Sequence, residues 1–293
     1  VTTASTLIDR VIQQLLSGTV EERNKLASGI DSDDTVVTLN YPLGSLRDAS
    51  IFEIDSEIFY TWSANSSNKT VEVDRAYGGT TAASHSVGSI ITVNPRFPRS
   101  QVLLALNSEL QDLSSPVNGL YQMKTVDLAY NGSDRMVNLT GVTSISEVYD
   151  VRYRYLNDDY PIVRDVRFLR DMPTTDFPSG FVLAFDTGVR SGTIRVLYKA
   201  PFGSFANEAA TTTSVGIGAE LEDLLVLGAQ IRMMAGREIK RNFTESQGDT
   251  RRADEVPPGA TTNSMLGLQR LRLQRIVAES ARLARQYPTR IRK

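Results

Sequence analysis

The chain contains no cysteine and a single histidine, His85. Without thiols there can be no disulfide scaffold, no thiolate zinc site and no thiol nucleophile. With one imidazole, a Ser-His-Asp triad is built on His85 or not at all, and a two-histidine metal site cannot form. Long apolar runs are missing too. No stretch approaches the ~18 uncharged residues of a membrane span. Val1-Thr-Thr-Ala-Ser5 has no basic segment, and Asp9 and Arg10 interrupt the apolar positions that follow, which is not the pattern of a signal peptide. No Gly-x-x-x-x-Gly-Lys-Ser/Thr string occurs. Gly216-Ile-Gly218 precedes a helical stretch without the rest of a dinucleotide fingerprint, so it reads as a flexible helix entry.

What is present is an ordinary globular composition: 293 residues, 41% hydrophobic and 23% charged. That length suits two compact units or one with large insertions. The net charge of −2 hides an asymmetry. Thr261 to Lys293 holds seven Arg and one Lys against one acid, Glu279, a local charge of +7, so the rest of the chain carries −9. An acidic body with a basic end marks the end as a contact segment.

Periodicity divides the chain. Leu7, Ile8, Val11, Ile12, Leu15 and Leu16 predict a helix over 5–17, stopped by Gly18. From Thr35 to Val93 the period is two, with strands at 35–39, 51–62 (turning near Asp55-Ser56), 70–75 and 89–93. Leu103, Leu106, Leu110 and Leu113 restore helical spacing. Residues 121–202 predict six strands, with a tight turn at Asn131-Gly132, and hence a β-sandwich. Helices follow at 218–243 and 264–287, separated by a polar stretch with Pro257-Pro258. Since short isolated helices are marginal in water, the economical fold is α+β: a helical-bundle core of four main helices with two inserted antiparallel β domains, the second a β-sandwich. The segments are then 1–33 (N-terminal helical segment), 34–95 (small β domain), 96–119 (core helix), 120–203 (sandwich), 204–263 (long core helix plus linker) and 264–293 (basic helix and tail).

Few constellations carry chemistry. Asp31-Ser-Asp33-Asp34 starts like a calcium loop but lacks the glycine at position six and the glutamate at position twelve, so it reads as a solvated loop. Glu53, Asp55 and Glu57 flank a hairpin and read as solvent-facing strand residues, with paired acid–base work as the sharper alternative. Asn157-Asp158-Asp159 before Tyr160-Pro161 reads as a turn. His85, among small polar residues, reads as a structural hydrogen-bonding group. No metal, cofactor or catalytic set is expected. Exposed tyrosines of the sandwich, Tyr153, Tyr155 or Tyr160, would be the platform if it bound glycans.

The last helix carries the clearest pattern. Leu273, Ile276, Val277 and Leu283, with Ala284 and Tyr287, form the expected packing side; Arg270, Arg272, Arg275, Arg282 and Arg285 take the other. Arginine's planar fork suits carboxylate or phosphate pairing.

The segment Asp74-Arg-Ala-Tyr-Gly-Gly-Thr-Thr-Ala-Ala-Ser-His-Ser-Val-Gly88, preceded by the Ile54-Asp-Ser-Glu57 hairpin, resembles a module of tailed-bacteriophage structural proteins. In that module a strand ends in an Arg-Gly-x-x-Gly-Thr-like turn, then small residues, His and Gly; Ala76 stands here where glycine is commonest. With Asn94-Pro-Arg-Phe-Pro-Arg99 and the helix after it, the region is similar to head-to-tail connector (adaptor) proteins. The resemblance implies a non-enzymatic virion protein of the neck, forming a homo-oligomeric ring, usually a dodecamer, beneath the portal. Such a ring joins the portal protein to a tail, stopper or head-completion protein and gives genomic DNA a non-specific passage. It also implies docking to the portal through the C-terminal segment, hence Arg282, Arg285, Tyr287, Arg290, Arg292 and Lys293. The same module occurs in tail, baseplate and fibre proteins, which keeps that alternative open beside a glycan-binding sandwich.

Overall fold

The computed structural model describes residues 1–154, 161–186, 190–245 and 260–288. The chain divides into two compact units, Val1–Glu109 with Ser204–Leu273, and Leu110–Gly203 with Gln274–Lys293.

In the first unit, α1 (Ala4–Leu16) begins where the Thr3 hydroxyl accepts the Thr6 N–H at 3.3 Å, and ends at Ser17 in the left-handed region. Its buried face is Ala4, Leu7, Ile8, Val11 and Ile12. Six strands follow: β1 (Arg23–Lys25), β2 (Val36–Thr38), β3 (Ile51–Ile54), β4 (Glu57–Asn65), β5 (Thr70–Asp74) and β6 (Ile90–Val93). They form one antiparallel sheet in the order β1-β6-β3-β4-β5-β2. The sheet curls into a half-barrel. Its two edges are drawn together just beyond β1 and β2, where Ala27 N–H donates to Thr38 O (2.9 Å) and Asn40 N–H to Lys25 O (2.8 Å). The inner face packs Phe52 on Phe59, rings parallel at 4.8 Å, with Val37, Leu39, Ile54, Val71 and Ile91 around them. Helix α2 (Arg99–Leu113) starts after β6 and α3 is Glu222–Glu245.

The second unit carries β7 (Gln122–Tyr130), β8 (Met136–Asn138), β9 (Glu147–Tyr153), β10 (Val166–Leu169), β11 (Val182–Phe185) and β12 (Gly192–Ala200). Two three-stranded antiparallel sheets, β7-β12-β9 and β10-β11-β8, share one core that includes Leu128, Leu139, Val151, Leu183, Ile194 and Val196. After β7 the chain reverses at Asn131-Gly132, where Asn131 Oδ1 accepts the Ser133 and Asp134 N–H groups at 3.0 and 3.1 Å. Gly132 has φ +86°, and a Cβ there would lie 2.8 Å from Ser191 N, so both the backbone and the close approach require glycine. The last helix, α4, is Ala260–Gln286.

The expected helical-bundle core is not what the chain builds. The architecture is dominated by antiparallel sheet, with four helices, and of these only α1 and α3 pack extensively on one another among the described residues. The reason lies in the strands. Each β segment closes a core made wholly of strand and loop residues, with no helical residue in either cluster. The sheets are therefore complete bodies rather than insertions in a bundle, and their cores need no helical cover. Among the described residues, no helix is long and apolar enough to cross a membrane.

Candidate functional site

The segment 74–88 is folded around one buried carboxylate. The β3–β4 hairpin turns at Asp55 (φ 51°) and delivers Glu57 to the sheet's inner side, opposite Ile54. Glu57 is 2% exposed and accepts five hydrogen bonds. Its Oε1 takes Arg75 Nε (2.8 Å) and the Ala76 N–H (3.2 Å); its Oε2 takes Arg75 Nη2 (2.9 Å), the Ala83 N–H (3.0 Å) and His85 Nε2 (2.9 Å). Arg75 then reaches the carbonyls of Asp31, Asp34 (3.0 Å) and Ala83 (2.6 Å), and lies over the Phe59 ring at 4.9 Å. Asp31-Ser-Asp33-Asp34 is thereby a loop tied by its backbone to Arg75, and among the described residues no cluster of three His, Asp or Glu side chains could hold a metal ion.

His85 sits between two carboxylates, with Nδ1 2.9 Å from Asp55 Oδ2 and Nε2 2.9 Å from Glu57 Oε2. Burial alone would lower its pKa, but the hydrogen bonds to Asp55 and Glu57 outweigh that and raise it. Only the imidazolium can donate to both acceptors at once. The hydrogen bond from His85 leads the causes that lower Asp55; at Glu57, burial acts upward but the bonds from Arg75, His85 and two backbone N–H groups win. A base with both nitrogens engaged and an acid with both oxygens saturated form a clasp, not a poised acid–base pair.

Glu53 and Glu57 were expected to face solvent, and the structure corrects this. Both are buried, at 3% and 2% exposure, and they lie on opposite faces, because Glu53 pairs with Ile58 while Glu57 pairs with Ile54. They cannot act together on one substrate. Glu53 accepts the Arg99 N–H at 2.9 Å, and desolvation pushes its pKa up to about 7. The Arg99 side chain ties α2 to two other segments: it is bidentate to Glu208 (2.6 to 3.0 Å) and reaches Asp9 (2.6 Å) and Ser5 (2.8 Å) of α1. Ser56 of the hairpin donates to the same Glu208 at 2.7 Å.

On α4 the expected faces separate differently. Ile276 and Leu283 are buried, but Leu273 and Val277 are 55% and 65% exposed, so the expected packing side is only half right. Apolar residues occur nearly all round this helix, and periodicity alone could not choose among them. Leu266, Arg270, Leu273 and Val277 share an outward arc of roughly 60° at ~100° per residue. The expected basic face is also divided. Arg272 turns inward, where Nε donates to Glu109 of α2 at 2.6 Å; Arg232 of α3 donates to the other oxygen at 3.1 Å, and Glu109 is 1% exposed. Gly228 of α3 makes room, since a Cβ there would fall 2.0 Å from Glu109 Cδ.

Among the expected docking residues, Arg282 pairs with Glu279 (2.7 Å), Arg285 is exposed, and Tyr287 is half-buried, edge-on to Tyr149 at 5.7 Å. Arg290, Arg292 and Lys293 lie outside the described residues, as do Tyr155 and Tyr160 and the 157–159 turn. Tyr153 is not a free platform: its hydroxyl donates to Ser191 O at 2.8 Å and its ring lies against Gly192.

Sequence reasoning passed over an aromatic cluster on the outer face of the first sheet. Trp62, the chain's single tryptophan, is 63% exposed, with Tyr60 edge-on at 5.0 Å and the Tyr77 ring tilted by 31° against Tyr60 at 5.2 Å. The signal available was the alternation Tyr60-x-Trp62 within a strand. No family model matches the chain, and no curated protein matches it.

Proposed function

We propose that this chain is a non-enzymatic structural protein of a tailed-phage virion, a head–tail adaptor whose copies form a ring beneath the portal, link it to a tail or stopper protein and let DNA pass. The observation that carries the reading is the construction of segment 74–88. The residues behind the phage-module resemblance, Arg75 and His85, are spent holding a loop on Glu57. That is the work of a shape-defining module, and the one imidazole of the chain is fully engaged in it. The exposed apolar arc of α4 and the basic end support a role in assembly, because exposed Leu and Val beside arginine suit a partner surface.

A second reading, a tail- or baseplate-associated structural protein, is favoured by the sheet-dominated architecture. Binding to purified portal rings separates the two. The adaptor reading expects the full chain to co-sediment with portal and a chain lacking residues 288–293 to lose that binding. Equal binding by the truncated chain overturns the docking assignment, and failure of the full chain to bind favours the tail reading.

A further inference from the structure

We propose that the outer aromatic–acidic face of the first unit's sheet, Tyr60, Trp62 and Tyr77 with Glu72 and Asp74, is the seat for the outward face of α4 of a second copy of this chain. Strand pairing places these residues together. Tyr60 is opposite Asp74, and Glu72 is opposite Val36, which is 53% exposed. Directly paired residues project to the same face of a sheet, and Glu72 and Asp74 alternate with the buried Val71 and Val73. Among the described residues, neither Glu72 nor Asp74 has an ion-pair partner, although the chain is otherwise rich in ion pairs. The surface therefore combines three aromatic rings with two uncompensated carboxylates.

The complement lies on the same unit. Leu266 and Leu273 are 44% and 55% exposed, and Arg270 stands between them on the same arc. Among the described residues Arg270 has no ion-pair partner. Leucines answer the rings, and a guanidinium answers both a ring face and a carboxylate. Trp, Tyr and Arg are the residues that dominate binding at interface centres. Both surfaces are open in a single chain, so the chain does not satisfy one with the other. Two different surfaces meeting across copies make a heterologous joint, which closes into a ring or runs on as a filament. Ring closure rests on the adaptor reading; the joint itself does not.

Trp62, as the only tryptophan, reports the joint by its emission. Two surface variants of the full chain suffice: Glu72→Lys with Asp74→Lys spoils the seat, and Leu273→Asp spoils the helix face. The wild-type chain is expected to self-associate with a blue shift of Trp62 emission. Each variant alone is expected to lose assembly and keep the solvent-exposed spectrum. An equal mixture is expected to give dimers that grow no further, with half the wild-type shift, because one intact seat meets one intact helix.

Wild-type-like assembly by either variant overturns the seat and leaves the ring reading standing on other surfaces. A mixture that stays monomeric, or wild-type assembly without a Trp62 shift, also overturns it. A wild-type chain that stays monomeric refutes the joint, and if it also fails to bind portal, the adaptor reading falls separately. A blue shift of the Leu273→Asp variant on addition of a neutral oligosaccharide assigns the seat to glycan and overturns the proposal.

Discussion

Replacing Glu57 by Gln would test the clasp with minimal change of shape. The amide keeps one acceptor oxygen and turns the other into a donor, which then faces Arg75 and His85, whose side chains are 8% and 3% exposed. Two cations would be left in a buried site without their shared anion. Removing one partner of a buried ion pair costs about 3–5 kcal/mol, and hydrogen bonds to charged groups contribute about 1.5–3 kcal/mol each. The expected loss is therefore about 3–5 kcal/mol. For a unit of this size that corresponds to a fall in Tm of roughly 6–20 °C. Denaturant and thermal unfolding of the full chain, followed by circular dichroism, would measure it. A loss under about 1 kcal/mol would show that the Glu57 carboxylate is no keystone of the loop. Glu57→Asp, which keeps the charge but shortens the reach, should fall between Gln and wild type.

The clasp also fixes a pH dependence. The raised His85 pKa means its contribution is fully present below the unfolded value of ~6.5 and is lost as pH rises through the folded one. The lowered Asp55 and Glu57 pKa values mean theirs is present above ~4 and lost as pH falls through the folded values. Glu53, pushed up to about 7, binds a proton more tightly folded than unfolded, so ionising it destabilises the first unit as pH rises from ~4.5 through 7. Stability should therefore decline from mildly acidic pH upward, and Glu53→Gln, which can still accept the Arg99 N–H, should flatten that decline in pH-dependent melts. Gly228→Ala would gain ~1 kcal/mol on helix propensity alone, but the 2.0 Å approach of Glu109 predicts a net loss of about 1–3 kcal/mol in denaturant midpoint. Arg99→Lys should cost about 2–4 kcal/mol, since an ammonium cannot keep the bidentate Glu208 contact together with Asp9 and Ser5. A melt indistinguishable from wild type would remove Arg99 as the tie between α1, the hairpin and the 204–216 loop.

Local patterns were readable where burial is one-sided. Leu7, Ile8, Val11 and Ile12 of α1 and the alternating Val71 and Val73 of β5 are buried as their spacing predicts. What spacing could not supply is how elements meet. The bundle expectation assumed that helices must cover one another, whereas the Phe52–Phe59 stack and the Ile194–Val196 core show sheets that cover themselves. Likewise, nothing local distinguishes a solvated Glu from Glu53 or Glu57. Their partners Arg99, Arg75 and His85 come from distant positions, and only the fold delivers them. On α4, Leu273 and Ile276 look equivalent in sequence, and only tertiary contact makes one buried and the other exposed.

If the chain is the ring subunit proposed above, its place is the neck of a virion. Cryo-imaging of intact virions purified from cells that express the chain would locate it. The expected result is a ring of copies between portal and tail, with the half-barrel unit and the paired three-stranded sheets each recognisable in density. Density for the chain confined to the baseplate or fibres, or a particle that lacks it altogether, would contradict the claim.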